Sequence, residues 1–188
     1  MNVGNRSGSA ARGAAGIRTR IGVLDVAHQQ EVAMSISSVS RYLDEQHVPY
    51  RVLPHAPAFT ARSIAAAAHV PDHEMIKTVM ALVDGRMVMA VLTAEERLDL
   101  DGLRRAAGAK SVTIASEYEF ARLFQDCEPG AMPPFGNLYG VEVYADDALR
   151  EDDGEIVFNA GTHDAAVRVA YRDFERLVHP KVSSITQH

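Results

Sequence analysis

An α+β fold with a mixed β-sheet is predicted by three features of this sequence. Two β-rich runs, Met75-Ile76-Lys77-Thr78-Val79-Met80-Ala81-Leu82-Val83 and Arg86-Met87-Val88-Met89-Ala90-Val91-Leu92, are joined by Asp84-Gly85. That pairing is the mark of a hairpin closed by a tight primed turn. Segments of helical period, each with its own cap, lie among other strand-like runs. Their order is irregular and includes at least this one hairpin, which argues against a doubly wound parallel sheet. No internal repeat is visible, and no glycine run sits between a strand and a helix with the spacing of a phosphate-cradling loop.

The elements follow in order. Ser35 or Ser37 caps a first helix with Ile36, Val39, Tyr42 and Leu43 on one face, and Pro49 ends it. Tyr50 to Leu53 is a short strand. Pro54 and Pro57 exclude regular structure from the segment that follows. Thr60 is the N-cap of an alanine-rich helix, Ala61 to His69, buried on Ile64, Ala65 and Ala68 and stopped by Pro71. After the hairpin, Asp99 caps a helix over Leu100–Ala107, with Gly108 closing it. Ser111 to Ile114 is expected as a buried strand. Ser116 and Glu119 form a capping-box pattern for a helix from Glu117 to Gln125. Leu138 to Tyr144, Glu155 to Phe158 and Ala165 to Val169 are strands, and a last helix spans about Asp173 to Val178.

Composition narrows the class. The chain has 188 residues with an apolar fraction of 47%, enough for one domain with a proper core. It has no tryptophan and no apolar run long enough to span a bilayer. The single cysteine, Cys127, excludes an internal disulfide and a multi-cysteine zinc site, which suits a reducing, cytoplasmic setting. The formal net charge is −6, so a polyanion must be met by a local basic patch, and tight general nucleic-acid binding is not expected. The stretch from Met1 to about Ala33 is different in kind. It is rich in Gly, Ala, Ser and Arg, lacks period, and has no secretory apolar region. Residues 1–33 are read as a disordered leader or an upstream extension of the gene model, and Met34 as an alternative start.

Lys77 is the most informative residue. The chain carries 19 basic residues, yet lysine occurs only at 77, 110 and 181. A compact, strongly hydrated ammonium set in an apolar strand marks either a site or a solvated sheet face, where lysine also blocks edge pairing. Two loops join it. Glu128 to Gly136 holds Gly130, Pro133, Pro134 and Gly136, so its backbone is pinned and can face a ligand at little ordering cost. Taken alone, it is equally a structural connector. Asn159-Ala160-Gly161-Thr162-His163-Asp164 sets an imidazole beside a glycine, which is also the composition of an ordinary surface turn. Other candidates are weaker. His69 and His73 have metal-pair spacing, but Pro71 breaks the helix between them and no third ligand is evident. Cys127 lies past a helix C-terminus, which disfavours a thiolate. No Gly-x-Ser-x-Gly elbow exists.

Four motifs in order, His55-x-x-Ala58-x-Thr60, Lys77-Thr78, Gly130-x-x-x-Pro134-Phe135-Gly136 and Asn159-Ala160-Gly161-Thr162-His163, resemble those of the YbaK-like family. These are trans-editing aminoacyl-tRNA deacylases, similar to the editing insertion domain of bacterial prolyl-tRNA synthetases. The resemblance covers residues 35–182 and leaves 183–188 as a tail. It implies a mixed, barrel-like sheet flanked by helices. It implies hydrolysis of the ester that joins a wrong amino acid to the terminal adenosine of tRNA, without metal, cofactor or protein nucleophile. By position, Lys77 would hold the terminal nucleotide, and the backbone from Gly130 to Pro134 would position the aminoacyl group and the attacking water. Gly161 and His163 would line the amino-acid pocket, with His55 and Thr60 on its other wall. Phe135, Gly136 and Asn159 belong to the same motifs and are counted with the substrate-binding residues.

The implied partner is the acceptor end of an aminoacyl-tRNA, with an aminoacyl-tRNA synthetase as a second candidate, and neither a membrane nor DNA. Arg62, Arg104, Arg105 and Lys110 are candidate phosphate contacts. Met132-Pro133 stands where the family often has a small polar residue. Thr162-His163 looks more like the broad branches than those acting on Ala or Cys, so the amino acid is left open. Two alternatives stand beside hydrolysis of mischarged tRNA: a non-catalytic module that binds aminoacyl-tRNA or a synthetase, and a hydrolase of other small acyl esters.

Overall fold

The computed structural model describes residues 38–150 and 154–187, so the leader expected over residues 1–33 lies outside the described residues. Among the described residues, five helices and ten strands alternate irregularly. The helices are α1 (Ser38–Glu45), α2 (Ala61–Ala67), α3 (Leu100–Ala107), α4 (Glu117–Phe120) and α5 (Tyr171–Val178). The strands in the first half are β1 (Tyr50–Pro54), β2 (Ile76–Val83), β3 (Arg86–Thr93), β4 (Arg97–Leu98) and β5 (Val112–Ile114). They are followed by β6 (Glu142–Asp146), β7 (Glu155–Asn159), β8 (Ala165–Ala170), β9 (Lys181–Ser183) and β10 (Thr186–Gln187).

The hairpin forms as its turn residues require. Asp84 and Gly85 take φ of 47° and 79°, both left-handed, and Val83 pairs with Arg86. Around it grows a five-stranded sheet in the order β5-β2-β3-β6-β9. It is mixed: β2 pairs antiparallel with β3 and β5, while β6 pairs parallel with β3 and β9. A second, antiparallel sheet has the order β1-β8-β7, and a parallel bridge from Met75 to Val157 joins the two. The barrel-like closure expected from the resemblance is not present: the five-stranded sheet ends in β5 on one side and β9 on the other. Among the described residues no helix is long and apolar enough to cross a membrane.

The core explains the apolar run of β3. Met89 and Val91 face the second sheet and pack with Ile156, Phe158, Val167 and the helices α1 and α5. Val88, Ala90 and Leu92 face the other way, against Leu103 of α3 and Ile185. A strand covered on both faces reads as a continuous apolar run. Phe135 is fully buried between Tyr42, Phe158 and Phe174, with ring centroids 5.5 to 6.2 Å apart. A separate cluster of Ile64, Ala65, Met75, Val157 and Ala166 seats α2.

Several local expectations need correction. Strand β5 is not buried: it is a sheet edge, and Ile114 is 54% exposed. Helix α4 stops at Phe120 rather than Gln125, because i→i+3 turns carry the chain so that Phe124 stacks at 4.4 Å on Tyr139. Leu138 and Tyr139 lie in a 3₁₀ turn closed by Gly140 at φ 67°, so β6 starts only at Glu142. Of the expected tail, Ile185 is fully buried, and Thr186–Gln187 pair with β4.

Candidate active site

Three irregular segments meet at the start of β2. The residues after β1 are held by the turn that joins β7 to β8, since His55 N–H donates to Asp164 O (2.9 Å) and Ala58 N–H to His163 O (3.0 Å). That turn is held in its own right by the Gly130 loop. Gly161 N–H donates to Ala131 O (3.0 Å), and Glu128 N–H donates to Gly161 O (2.8 Å). His163 N–H donates to the Glu128 carboxylate (2.8 Å). The His163 ring nitrogen Nε2 lies 2.8 Å from Pro129 O. A carbonyl only accepts, so Nε2 carries a proton, while Nδ1 is buried without a partner. Thr78 Oγ1 on β2 closes the assembly by donating to Met132 O (3.2 Å).

Lys77 is partly buried at the start of β2, opposite Leu92. Its ammonium donates to Ala94 O (3.0 Å) and Glu96 O (2.6 Å), just beyond β3. An ammonium has three N–H groups, so one remains for a ligand. Burial pushes its pKa below the ordinary lysine value, the charges of Arg62 and Arg97 push it the same way, and Glu96 opposes them. The net-acidic chain has thus gathered three cations here.

Two hollows adjoin this assembly. The smaller, about 50 Å³, is lined by Lys77, Thr78, Gly130, Met132, Phe158 and Asn159, together with Phe59 and the start of α2. The Asn159 carboxamide oxygen is buried there without a hydrogen-bond partner. The larger is an open groove of about 560 Å³, lined by Pro57, Phe59, Glu128, Pro129, His163 and Asp164. Phe59 lines both. Gly130 sits between the loop and the imidazole at φ 85°; a β-carbon there would lie 3.7 Å from His163 Cε1.

Lys77, Gly130, Asn159 and His163 therefore line the two hollows, while the other expected site residues line neither. Thr60 is exposed and caps α2, with Ser63 N–H donating to Thr60 Oγ1 (3.1 Å). His55 Nδ1 is bound to Ala56 O (2.9 Å). Gly161, at φ 103°, ties the turn to the loop through its backbone. Pro134, Phe135 and Gly136 are buried and line neither hollow. Phe135 belongs to the core, and a β-carbon on Gly136 would stand 2.5 Å from Val141 O.

Of the candidate phosphate contacts, only Arg62 is near Lys77. Arg104 and Arg105 pair with Asp101 and Asp99 on α3. Lys110 donates its backbone N–H to Asp84 at the far end of β2, roughly 20 Å along the strand. Reading the sequence missed Phe59, Glu128 and Arg97. A bulky aromatic between Pro57 and a helix cap was the available sign for the first, and the pinned loop that begins at Glu128 was the sign for the second; nothing local marked Arg97. Cys127 is off the Lys77 hollow, and burial pushes its thiol up to about 11, so it is no nucleophile near neutral pH.

The chain is similar to several known proteins. The chain is 27% identical over 161 residues to the multifunctional Ser/Thr-tRNA deacylase ProXp-y of Escherichia coli K12, a match that spans 84% of this chain and 91% of that protein. It is 31% identical over 88 residues to a proline–tRNA ligase of Streptococcus pneumoniae, covering 47% of this chain and 14% of the ligase. Among solved structures, a hypothetical protein superposes with a TM-score of 0.71 at 20% identity, over 79% of this chain and 99% of that one. A candidate trans-editing enzyme for prolyl-tRNA synthetase superposes with a TM-score of 0.68 at 22% identity, over 80% of this chain and 95% of that one. The aminoacyl-tRNA editing domain profile matches residues 55–177, the span that contains Lys77, both loops and both hollows, and the chain belongs to that family.

Proposed function

We propose that this protein hydrolyses the ester of mischarged aminoacyl-tRNA in trans, with water as the nucleophile. The observation that carries this reading is the joining of Lys77, Gly130 and Asn159 in one small hollow, backed by the His163 turn bonded to the Gly130 loop. The third N–H of Lys77 meets an anionic oxygen of the terminal nucleotide. The pinned backbone at Gly130 and the His163 turn hold the aminoacyl group. An aminoacyl ester is already activated, so positioning and charge stabilisation supply most of the rate. A free ribose hydroxyl of the substrate orients the water, which also selects RNA over DNA. No metal and no covalent intermediate enters this route. A hollow of about 50 Å³ admits only a small side chain, and the relative named for Ser/Thr-tRNA makes seryl and threonyl esters the first to assay. Such editing answers a general limit, because a synthetase pocket rejects a smaller amino acid only weakly.

The test is a panel of mischarged tRNAs, including seryl and threonyl species, incubated with the protein and with Lys77→Ala. We expect loss of label from one or a few small aminoacyl species and a fall in kcat/KM of about tenfold or more in Lys77→Ala, the size of a lost charge-assisted hydrogen bond. Tight binding with label retained would instead mark a non-catalytic binding module. Turnover of simple aminoacyl esters with no preference for tRNA would mark a general esterase.

A further inference from the structure

We propose that the Phe59 ring is the stacking platform for the terminal adenine of the substrate. The base would lie in the open groove, and its phosphate would face Lys77, Arg62 and Arg97. The inference rests on the deacylase reading above and adds a nucleobase subsite to it.

Phe59 is 73% exposed. A lone exposed phenylalanine is ordinary. This one differs because it alone lines both hollows and because its ring is braced. Its centroid lies 4.7 Å from the His163 ring, tilted by 51°. That imidazole is itself anchored to Pro129 O, and the His163 backbone N–H donates to the Glu128 carboxylate. The backbone is held on both sides of the ring, by the bond from Ala58 N–H to His163 O and by the Thr60 cap of α2.

Volume and charge then orient the substrate. A purine nucleoside cannot enter about 50 Å³, so it must occupy the groove of about 560 Å³, whose walls include Pro57, Phe59 and Pro129. The groove also carries Glu128 and Asp164, which repel phosphate, whereas Lys77, whose neighbours include Arg62 and Arg97 as well as Glu96, attracts it from the small hollow that Phe59 also lines. The reverse pose would set phosphate against carboxylates. With the phosphate on the cations and the base on the ring, the ester lies beside Gly130 and the amino-acid side chain enters the small hollow. Aromatic stacking holds a base through its face, and the groove carboxylates can accept from the exocyclic amine of adenine.

The chain has no tryptophan, so Phe59→Trp installs a single fluorescent reporter on the exposed ring position without touching the core. Adenosine 5′-monophosphate should quench it saturably. Ribose 5-phosphate, which lacks the base, should not, and neither should the nucleotide quench Tyr118→Trp, a similarly exposed position on α4 that lines neither hollow. In deacylation, Phe59→Ala should raise KM for aminoacyl-tRNA about five- to a hundredfold, the range for one lost stacked base, with kcat within about twofold. Phe59→Trp should restore KM. Equal quenching by ribose 5-phosphate, or an unchanged KM in Phe59→Ala, overturns the subsite. Quenching by the nucleotide alone, in a protein that deacylates nothing, overturns the deacylase reading and supports the subsite. Deacylation without quenching does the reverse.

Discussion

Lys77 combines two demands that oppose each other. It must keep a charge to hold an anion, yet partial burial and the neighbouring guanidinium groups of Arg62 and Arg97 disfavour that charge. The two carbonyls that accept from its ammonium fix the direction of the remaining N–H. The sign of the pH effect follows. A lysine with a lowered pKa in the folded protein loses its proton earlier as pH rises, and below that pKa its protonation slightly opposes folding. We therefore expect KM for aminoacyl-tRNA, corrected for spontaneous hydrolysis, to climb on the alkaline side at a pH below the ordinary lysine value. Lys77→Arg keeps its charge there, so its KM should stay flat across the same range. A wild-type profile without that climb would mean that the ammonium does not bind substrate. Cys127 shows the opposite case: burial keeps it a thiol, and Tyr139 and Asp126 occupy it with hydrogen bonds.

The Gly130 loop divides into two parts with separate tasks. Its first half, Glu128 to Met132, faces the hollows and is bonded to the His163 turn and to Thr78. Its second half, Pro134 to Gly136, is buried and anchors the loop in the core. The two glycines of the motif should therefore fail differently. Gly136→Ala forces a β-carbon to within 2.6 Å of Val143 Cγ2 and still nearer to Val141 O, so it should cost about 1–3 kcal/mol or more of stability by overpacking. Gly130→Ala meets nothing nearer than 3.7 Å, and its penalty is the positive φ alone, about 1 kcal/mol. Its larger effect should be on kcat. Denaturation midpoints and single-turnover rates on the two variants separate these outcomes; equal loss of stability in both would refute the division.

The molecule as a whole is two sheets closed over a shared core, with the end of the chain acting as a strap. Ile185 N–H donates to the buried carboxylate of Asp146 (2.9 Å), and Asp99 N–H donates to Ile185 O (2.8 Å) at the cap of α3. The Ile185 side chain completes the cluster between α3 and the outer face of the large sheet. Ile185→Ala should therefore destabilise the fold by about 2–5 kcal/mol, like other large-to-small changes at fully buried positions. Chemical denaturation would read this directly. A cost below about 0.5 kcal/mol, the usual size for a surface change, would show these residues to be a dispensable tail. Closure by a docked strap, with β5 and β9 left as edges, stands in place of the barrel that the resemblance implied.

Local chemistry was legible in the amino-acid order alone. Asp84-Gly85 dictated the hairpin, Thr60 and Asp99 dictated helix starts, and Lys77 stood out because it interrupts an apolar strand. Each depends on neighbours within a few positions, where backbone sterics and capping bonds act. The partition of the motif residues did not show there. Asn159 and Phe135 lie in motifs of similar standing, yet one faces the hollow with an unpaired oxygen and the other fills the core. Nor did the convergence of Phe59 and Glu128 on one groove, because these residues are far apart in the chain and only the bonds that tie their segments to the His163 turn bring them together. Burial and charge at a point in space are set by every segment that packs there, and local sequence carries no record of which segments those are.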